Sequence, residues 1–272
     1  MYQEYWGLSK KPFPYRTAAA ELYPSQSLRG ASLRLQYCFR NNGGAALLIG
    51  QSGVGKSSVL RRLADDDVTL RPFAHIVYPT LSCAELQRVV AAEVLETTSV
   101  DTQDSPDTIF AELRKSLRRH TAEHRHPVVV FDEAHLLTND ALNQVVLPLL
   151  SVADMDATLS LTIVLSGQPS LAAHVARNAQ LRDRVAVTAT MDGFTESEIT
   201  EYIHVSMTAA GAQQSIFAAD AIQAISRLSA GNPRRVKRLC DMALLVGYAD
   251  RLSEVTASDI ESLAAEILPA AA

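Results

Sequence analysis

The sequence contains little cysteine and no long apolar run. Its three cysteines, Cys38, Cys83 and Cys240, lie far apart and form no CxxC pair, which argues against a disulfide framework or a zinc ribbon. No uninterrupted stretch of about 18 apolar residues is present, so a membrane-spanning helix is not expected. The first residues also lack the basic and apolar regions of a secretion signal. We therefore expect a soluble, cytoplasmic chain without a transmembrane segment.

An excess of positive charge is also absent. The 272 residues include 25 basic and 30 acidic side chains, which gives a formal net charge of -5. The molecule as a whole therefore does not attract nucleic acid or an anionic membrane, and any such contact would need a local basic patch. With 47% hydrophobic and 20% charged residues, the composition is typical of one or two folded domains with a large core.

Short apolar runs alternate with amphipathic helices over most of the first 190 residues. They follow an N-terminal strap, residues 1–26, that is rich in proline and aromatic side chains. The alternation predicts an α/β fold with a parallel sheet covered on both faces. Helices are predicted to begin with a capping box at Ser82 and to span 107–120 and 139–152. We predict five strands, at 45–49, 73–78, 128–131, 159–165 and 185–189.

The β pattern stops after Gly193. Capping boxes at 195–198 and 256–259 and a Gly-Asn-Pro helix start at 231–233 indicate that the rest of the chain is helical. Helices are predicted near 196–210, 219–229, 233–247 and 257–267. We therefore predict an α/β domain at 1–192, which includes the strap, and a small all-α domain at 193–272.

A glycine-rich motif follows the first predicted strand. Gly50 to Ser57 read Gly-Gln-Ser-Gly-Val-Gly-Lys-Ser, which fits the Walker A pattern G-x-x-x-x-G-K-[ST] between a strand and a helix. In such a P-loop the glycines turn backbone N–H groups toward phosphates, Lys56 neutralises the β and γ oxygens, and the Ser57 hydroxyl ligates magnesium. We predict that ATP is bound by Gly50, Gln51, Ser52, Gly53, Val54, Gly55, Lys56, Ser57 and Ser58.

An acidic pair ends the third predicted strand. Asp132 and Glu133 follow the apolar run at 128–131, which places two carboxylates at the carboxyl edge of the sheet, where open α/β folds bind ligands. We expect Asp132 to hold Mg2+ through water and Glu133 to polarise the attacking water, as in a Walker B motif. A glutamate here favours ATP hydrolysis over a kinase reaction. The plainer alternative is an acidic pair that caps a helix.

Three further positions have candidate roles, each of them weaker on its own. Ser166 or Gln168, after the fourth strand, could be a polar sensor between water and the γ-phosphate, or could belong to a capped turn. Arg182 or Arg184, before the last strand, could reach a neighbouring subunit's phosphate as an arginine finger, or could form a surface ion pair. Arg234 lies in the first turn of a helix, where the helix dipole disfavours a cation, so we expect a phosphate partner.

Together these motifs resemble those of the AAA+ ATPases over nearly the whole chain. The resemblance includes the Walker A and Walker B motifs, a polar sensor strand, the Leu-Arg-x-Arg box at 181–184, the Gly-Asn-Pro-Arg box at 231–234 and a helical lid. It implies ATP and Mg2+ as cofactors. It also implies that Lys56 and Ser57 contact phosphate and metal, that Asp132 and Glu133 act in hydrolysis, that Arg184 is the finger and that Arg234 is a second sensor.

Within that class, three segments resemble the general secretion pathway protein A family. They are Tyr-Trp-Gly-Leu at 5–8 with Pro-Phe at 12–13, Phe-Asp-Glu-Ala-His at 131–135, and Leu-Ser-Gly-Gln-Pro at 165–169. This family is similar to the ATPase regulators of DNA transposition. The resemblance implies a nucleotide-binding domain at 1–192 and a helical lid at 193–272.

From these motifs we expect an ATPase that associates with itself into a ring or filament and couples ATP hydrolysis to a protein partner. A partner in secretion or envelope machinery is favoured by the family resemblance. The alternative is an ATP-dependent DNA-binding regulator of a transposase or recombinase. In that case the DNA phosphates would be contacted by basic side chains on helices, among them Arg114, Lys115, Arg118, Arg119 and Lys237.

Overall fold

The structure is a computed structural model that describes residues 1–15, 21–77, 80–98, 100–101, 105–156 and 158–267. Its contacts divide the described residues into two units. We call them the sheet unit, from Leu28–Ser52 and Lys56–Met191, and the helical unit, from Met1–Ser27, Gly53–Gly55 and Asp192–Ala272.

The sheet unit is built on five parallel strands. They are β1 (Gly44–Gly50), β2 (Phe73–Ile76), β3 (Val128–Phe131), β4 (Thr162–Gly167) and β5 (Val185–Met191). The order β2-β3-β4-β1-β5 puts β2 and β5 at the edges, and every pairing is parallel. β3 and β4 are buried along their whole length, as expected for inner strands of a covered parallel sheet. The predicted five-stranded parallel sheet is confirmed.

Some of the helices belong to the sheet unit, and the others make up the helical unit. Among the described residues, none of them is both long and apolar enough to cross a membrane. In chain order they are α1 (Tyr2–Tyr5), α2 (Gln26–Arg40), α3 (Lys56–Asp66), α4 (Cys83–Leu95), α5 (Pro106–Ala122), α6 (Asn139–Ala141), α7 (Leu147–Asp154), α8 (Ser170–Ala176), α9 (Ala179–Arg182), α10 (Glu196–Ala209), α11 (Ala219–Ser229), α12 (Pro233–Ala249) and α13 (Ala257–Ile267).

The predicted fourth strand begins too early. β4 starts at Thr162 rather than at 159. Leu159 and Leu161 are buried and so lengthened the apolar signal, but the Leu159 N–H donates to the Asp156 carbonyl in a turn instead of to a neighbouring strand. In the second strand, β2 ends at Ile76, and the predicted end at Tyr78 lies outside the described residues.

The helix predicted at 139–152 contains a π-helical turn. A π-helical turn at Leu142–Val146 separates α6 from α7. Pro148 has no N–H to donate to the carbonyl of Gln144, four residues earlier. That carbonyl instead accepts a hydrogen bond from Gln87 Nε2 at 2.8 Å. The predicted helix is therefore present, and it contains a π-helical turn just before the proline, which removes one hydrogen bond of the helix.

The parallel pairing brings the carboxyl ends of four strands to one edge of the sheet. Ile49 of β1 lies opposite Gly167 of β4, and Phe131 of β3 lies opposite Leu165 of β4. On its other side, Phe131 pairs with the last residue of β2. The residues that follow these strands therefore meet at the edge where open α/β folds bind ligands.

The helical unit has a core of its own, shared by α10, α11, α12 and α13. Its helices begin where the capping patterns predict them. The Thr195 side chain and the Glu198 side chain form a reciprocal capping box before α10. Asn232 caps α12, because its Oδ1 accepts hydrogen bonds from the N–H groups of Arg234 and Arg235. The predicted helical C-terminal region is confirmed.

The N-terminal strap packs within the helical unit. Phe13 is buried in its core, with its ring centroid 5.9 Å from that of Tyr202. Trp6 Nε1 donates to the Leu244 carbonyl at 2.8 Å. The sequence predicts residues 1–26 as part of the α/β domain, whereas the contacts of the described part of this segment group it with the C-terminal helices. The difference arises because Tyr2 and Phe13 are buried in the core of those helices and Trp6 packs against it.

Candidate nucleotide-binding site

The Walker A segment connects β1 to α3. β1 ends at Gly50 and α3 begins at Lys56, which is the strand–loop–helix arrangement that the motif requires. Gly53 and Gly55 have φ angles of +88° and +106°, which side chains disfavour. Lys56 is buried, and its Nζ donates to the carbonyls of Gly50 at 2.7 Å and Gln51 at 3.1 Å. These bonds hold the start of the loop around the ammonium group.

Gly53 has no space for a side chain. A Cβ at this position would lie 2.7 Å from Asn232 Oδ1 and 3.1 Å from Arg234 Cβ, all three residues belonging to the helical unit. Asn232 is the cap of α12, so its amide is held in place. Glycine is therefore required at position 53 by the close approach as well as by the φ angle. Arg234, the predicted second sensor, lies beside a P-loop glycine.

The other predicted P-loop residues differ in their exposure. Val54 is buried, whereas Ser57 and Ser58 are half-buried. Gln51 and Ser52 are exposed to solvent. The segment therefore combines a buried lysine and valine with polar side chains that remain accessible.

Ser57 and Asp132 are joined by a hydrogen bond. Ser57 Oγ donates to Asp132 Oδ2 at 2.6 Å. Because the single hydroxyl proton of Ser57 is given to the carboxylate, the lone pairs of its oxygen are left for a cation. The two residues predicted to hold Mg2+ are 75 positions apart in the chain and in direct contact in the fold.

The carboxylate of Asp132 is buried and surrounded by donors. Its Oδ1 accepts from Ser166 Oγ at 2.9 Å and from the Glu133 N–H at 3.1 Å, and its Oδ2 lies 3.2 Å from His75 Nε2. Burial by itself would raise the pKa of Asp132. The hydrogen bonds from His75, Ser57 and Ser166 outweigh that effect and hold the pKa well below its usual value. Asp132 is therefore an ionised carboxylate that only accepts hydrogen bonds.

His75 belongs to this site but is not identified by sequence analysis. It lies in β2, where the next residue, Ile76, pairs with Phe131 immediately before Asp132. The available signal was one polar residue within the apolar run at 73–77. That signal could not place the histidine beside Asp132, because it carries no information about which strand pairs with β2.

Glu133 adopts a left-handed backbone conformation at the end of β3. Its φ of 50° and ψ of 35° cost a residue with a side chain about 1–2 kcal/mol, and such strain is common at functional sites. A 3-10 turn, Ala134–Leu136, follows directly. The Glu133 side chain is 44% exposed, and its Oε2 lies 3.5 Å from His135 Nδ1. Unlike Asp132, this carboxylate is accessible to water.

The two sensor candidates differ in their contacts. Ser166 is fully buried and donates its proton to Asp132. Gln168 is half-buried, and its backbone N–H lies 3.5 Å from His135 Nδ1. Ser166 is therefore hydrogen-bonded to the Asp132 carboxylate, while Gln168 is the first residue after β4 and is partly exposed. A sensor role for either residue stays a prediction.

Both finger candidates form ion pairs within the sheet unit. Arg184 Nε donates to Asp154 Oδ2 at 2.7 Å, and its Nη1 donates to the Gln180 carbonyl at 3.2 Å. Arg182 pairs with the adjacent Asp183 at 2.9 Å. Surface ion pairs of this kind contribute little to stability, and the Arg184 side chain stays 33% exposed. A finger role for either arginine stays a prediction.

The sheet and the site together define a P-loop nucleotide-binding fold. A strand leads through a glycine-rich loop into a helix, and the loop serine contacts an aspartate at the end of another parallel strand. Residues 40–175 match the family model described as AAA domain, and the chain belongs to that family.

Comparison with known proteins supports the resemblance found in the sequence. The chain is 30% identical over 269 residues to general secretion pathway protein A of Aeromonas hydrophila; the match covers 98% of this chain and 48% of the relative. The chain thus spans about half the length of the curated relative it matches. The predicted resemblance to AAA+ ATPases and to the general secretion pathway protein A family is confirmed.

Solved structures share the fold at low sequence identity. Cdc6p from Pyrobaculum aerophilum superposes with a TM-score of 0.72 and 19% identity, over 96% of this chain and 72% of that one. Drosophila ORC bound to DNA gives a TM-score of 0.69 and 16% identity, over 96% of this chain and 65% of that one. At these identities the similarity shows the fold alone.

Proposed function

We propose that this chain is an ATPase that binds ATP with Mg2+ and hydrolyses it to ADP and phosphate. The observation that supports this most directly is the 2.6 Å hydrogen bond from Ser57 Oγ to Asp132 Oδ2. It joins the phosphate-binding loop to an ionised carboxylate at the carboxyl edge of the sheet. In this proposal the nucleotide is held by residues 50–58 and Arg234.

The residues of the site fit a magnesium ion that arrives with a nucleotide. Magnesium is usually held by one or two carboxylates together with substrate phosphates and water. Within the described part of the chain, no group of three or more His, Cys, Asp and Glu side chains could hold a metal by itself. Ser57 and Asp132 offer a hydroxyl and one carboxylate. We therefore expect metal binding to depend on the phosphate oxygens of ATP.

Each charged group of the site has a separate task in the proposed reaction. Mg2+, when bound, neutralises charge on the phosphate oxygens. The Lys56 ammonium adds a positive charge next to the β- and γ-phosphates. The exposed carboxylate of Glu133 accepts a proton from the attacking water. Ser166 or Gln168 orients that water or the γ-phosphate.

We further propose that the chain assembles into a ring or filament and signals to a protein partner. Arg184 then completes the site of a neighbouring subunit as an arginine finger. The 30% identity to general secretion pathway protein A supports a partner in secretion or envelope machinery. Because the chain matches only 48% of that relative's length, the partner is proposed from the shared ATPase region alone.

A second candidate function is ATP-dependent DNA binding that regulates a transposase or recombinase. The observation that favours it is the exposed pair Arg235 and Arg238 on α12, neither of which forms an ion pair with the described residues. Two of the α5 candidates are paired, Lys115 with Glu112 and Arg118 with Asp156. A third, Arg119, is exposed and, within the described part of the chain, donates only to Ser116 Oγ, at 3.4 Å. Lys237 is half-buried, and burial lowers its pKa.

The ATPase proposal is tested with Lys56→Ala. We expect the wild-type protein to release phosphate from ATP only with Mg2+, and the variant to lose that activity together with at least about tenfold in nucleotide affinity, because the phosphates lose their counter-cation. The measurements are phosphate release and the binding of a fluorescent ATP analogue. Lys10→Ala is the matched control, because Lys10 is 58% exposed and pairs only loosely with Glu21, at 3.9 Å. Normal turnover by Lys56→Ala would refute the P-loop assignment.

A further inference from the structure

His75 is a polar residue on an apolar edge strand. Its neighbours in β2, Ala74 and Ile76, are 0% and 2% exposed. Successive side chains of a strand point to opposite faces, so His75 lies on the other face of the strand from these two. The side chain is 25% exposed, and its Nε2 lies 3.2 Å from Asp132 Oδ2.

The direction of this hydrogen bond follows from the chemistry of a carboxylate and an imidazole. An ionised carboxylate has acceptor sites only. We therefore assign the proton between the two groups to His75 Nε2, which donates to Oδ2 at 3.2 Å. This donation requires the Nε2–H form of the ring, whether or not the other nitrogen carries a proton.

Four donors hold the Asp132 carboxylate, two on each oxygen. Oδ1 is held by Ser166 Oγ and the Glu133 N–H, and Oδ2 by Ser57 Oγ and His75 Nε2. Of these four residues, only His75 has no other place in the proposed reaction. Without His75, the Ser57 hydroxyl would be the single partner of Asp132 Oδ2 among these four donors. The carboxylate would then be less firmly oriented, and so would the lone pairs of the Ser57 oxygen that bonds to it.

We propose that His75 is a positioning residue for the magnesium site. Its Nε2–H holds Asp132 Oδ2 in the orientation in which Asp132 and Ser57 receive the metal together with the nucleotide. This inference rests on the proposed ATP and Mg2+ binding. Partners that orient a metal-binding group commonly change metal affinity by 10–100-fold when they are removed.

The test compares His75→Phe, which keeps an aromatic ring but removes the donor, with His75→Gln, which keeps an N–H at a similar reach. A fluorescent ATP analogue is titrated at increasing Mg2+ and separately in EDTA, and thermal melting without nucleotide checks folding. Mg2+ is expected to increase the affinity for the analogue. We expect His75→Phe to raise the Mg2+ concentration that gives half of this increase by about tenfold or more. Affinity in EDTA should stay unchanged, and His75→Gln should recover most of the loss.

Val77→Ala is the matched control, since Val77 follows β2 directly and is 49% exposed; it should titrate like the wild type. The inference is overturned if His75→Phe needs no more Mg2+ than the wild type, or if it weakens binding equally in EDTA. It is also overturned if His75→Gln behaves like His75→Phe, because packing rather than the donor would then matter. If the wild type itself shows no Mg2+-dependent nucleotide binding, the proposed function fails along with it.

Discussion

Asp132 and Glu133 are consecutive carboxylates in different surroundings. The Asp132 side chain is 9% exposed and accepts four hydrogen bonds, whereas the Glu133 side chain is 44% exposed and lies 3.5 Å from one histidine nitrogen. The left-handed turn at Glu133 separates the two. Environment commonly assigns different roles to neighbouring acids. Here it supports the proposed roles of Asp132 as the group that holds Mg2+ and of Glu133 as the group that acts on water.

At Glu133 we predict that the substitution Glu133→Gln preserves ATP binding and slows hydrolysis by at least about a hundredfold. The amide keeps the size of the side chain but cannot accept a proton from water. Analogue binding and single-turnover phosphate release measure the two effects separately.

Asp132→Asn provides the comparison. Unlike Glu133→Gln, this variant should weaken Mg2+-dependent nucleotide binding, because it removes the negative charge that the site offers to the cation. If Glu133→Gln lost nucleotide binding as strongly as Asp132→Asn, Glu133 would be a structural residue rather than a base.

Three neighbouring strands each contribute one side chain to the acidic site. His75 comes from β2, Asp132 follows β3 and Ser166 lies in β4. Because these strands are adjacent and parallel, their carboxyl ends bring the three side chains within hydrogen-bonding distance. At the opposite edge of the sheet, Arg184 lies in the connection between α9 and the edge strand β5.

Arg184 connects two elements, because it precedes β5 and pairs with Asp154 at the end of α7. As a finger in trans, it would exchange this partner for a neighbour's phosphate. We predict that Arg184→Ala binds ATP normally but does not hydrolyse it. Mixed with Lys56→Ala, which has an intact Arg184 but no functional pocket, it should regain part of the activity.

Asp154→Asn distinguishes a finger from a structural ion pair. It removes the same ion pair but leaves the arginine in place, so it should retain hydrolysis if Arg184 is a finger. Should Asp154→Asn be as inactive as Arg184→Ala, the ion pair itself would be what matters. If co-assembled mixtures recover no activity, Arg184 does not act in trans, and Arg182 becomes the next candidate.

The charge of the whole molecule sets the conditions for any contact with DNA. A net charge of -5 repels phosphates, so binding would depend on local arginines aligned over several subunits. If DNA is the partner, we predict that duplex binding appears only with ATP or a non-hydrolysable analogue and falls steeply with salt. Fluorescence anisotropy at low and moderate salt, with and without nucleotide, measures this.

Charge reversal on α12 makes the DNA test specific. Arg235→Glu together with Arg238→Glu should abolish the binding, while Arg125→Ala should not, because Arg125 already pairs with Glu96 and Glu123. An absence of binding under all four conditions, with ATPase activity intact, would eliminate the DNA-dependent alternative and leave a protein partner.

Some features of this protein were determined by the sequence alone. The Walker A segment, the acids after the third strand and the capping box before α10 each depend on residue types at fixed spacing within one short stretch. Five apolar runs likewise predicted five strands, and the switch of pattern after Gly193 predicted the helical region. Local rules were sufficient for these features, because the interactions involved join residues close together in the chain.

Other features were decided only by the tertiary structure. The strand order places His75 beside Asp132, and the packing of Trp6 and Phe13 puts the strap with the C-terminal helices. The carbonyl freed by Pro148 finds its partner on α4, 57 positions away in the chain. Each of these depends on contacts between segments distant in the chain. Hydrophobic periodicity and motif spacing do not encode such contacts, because they describe one segment at a time.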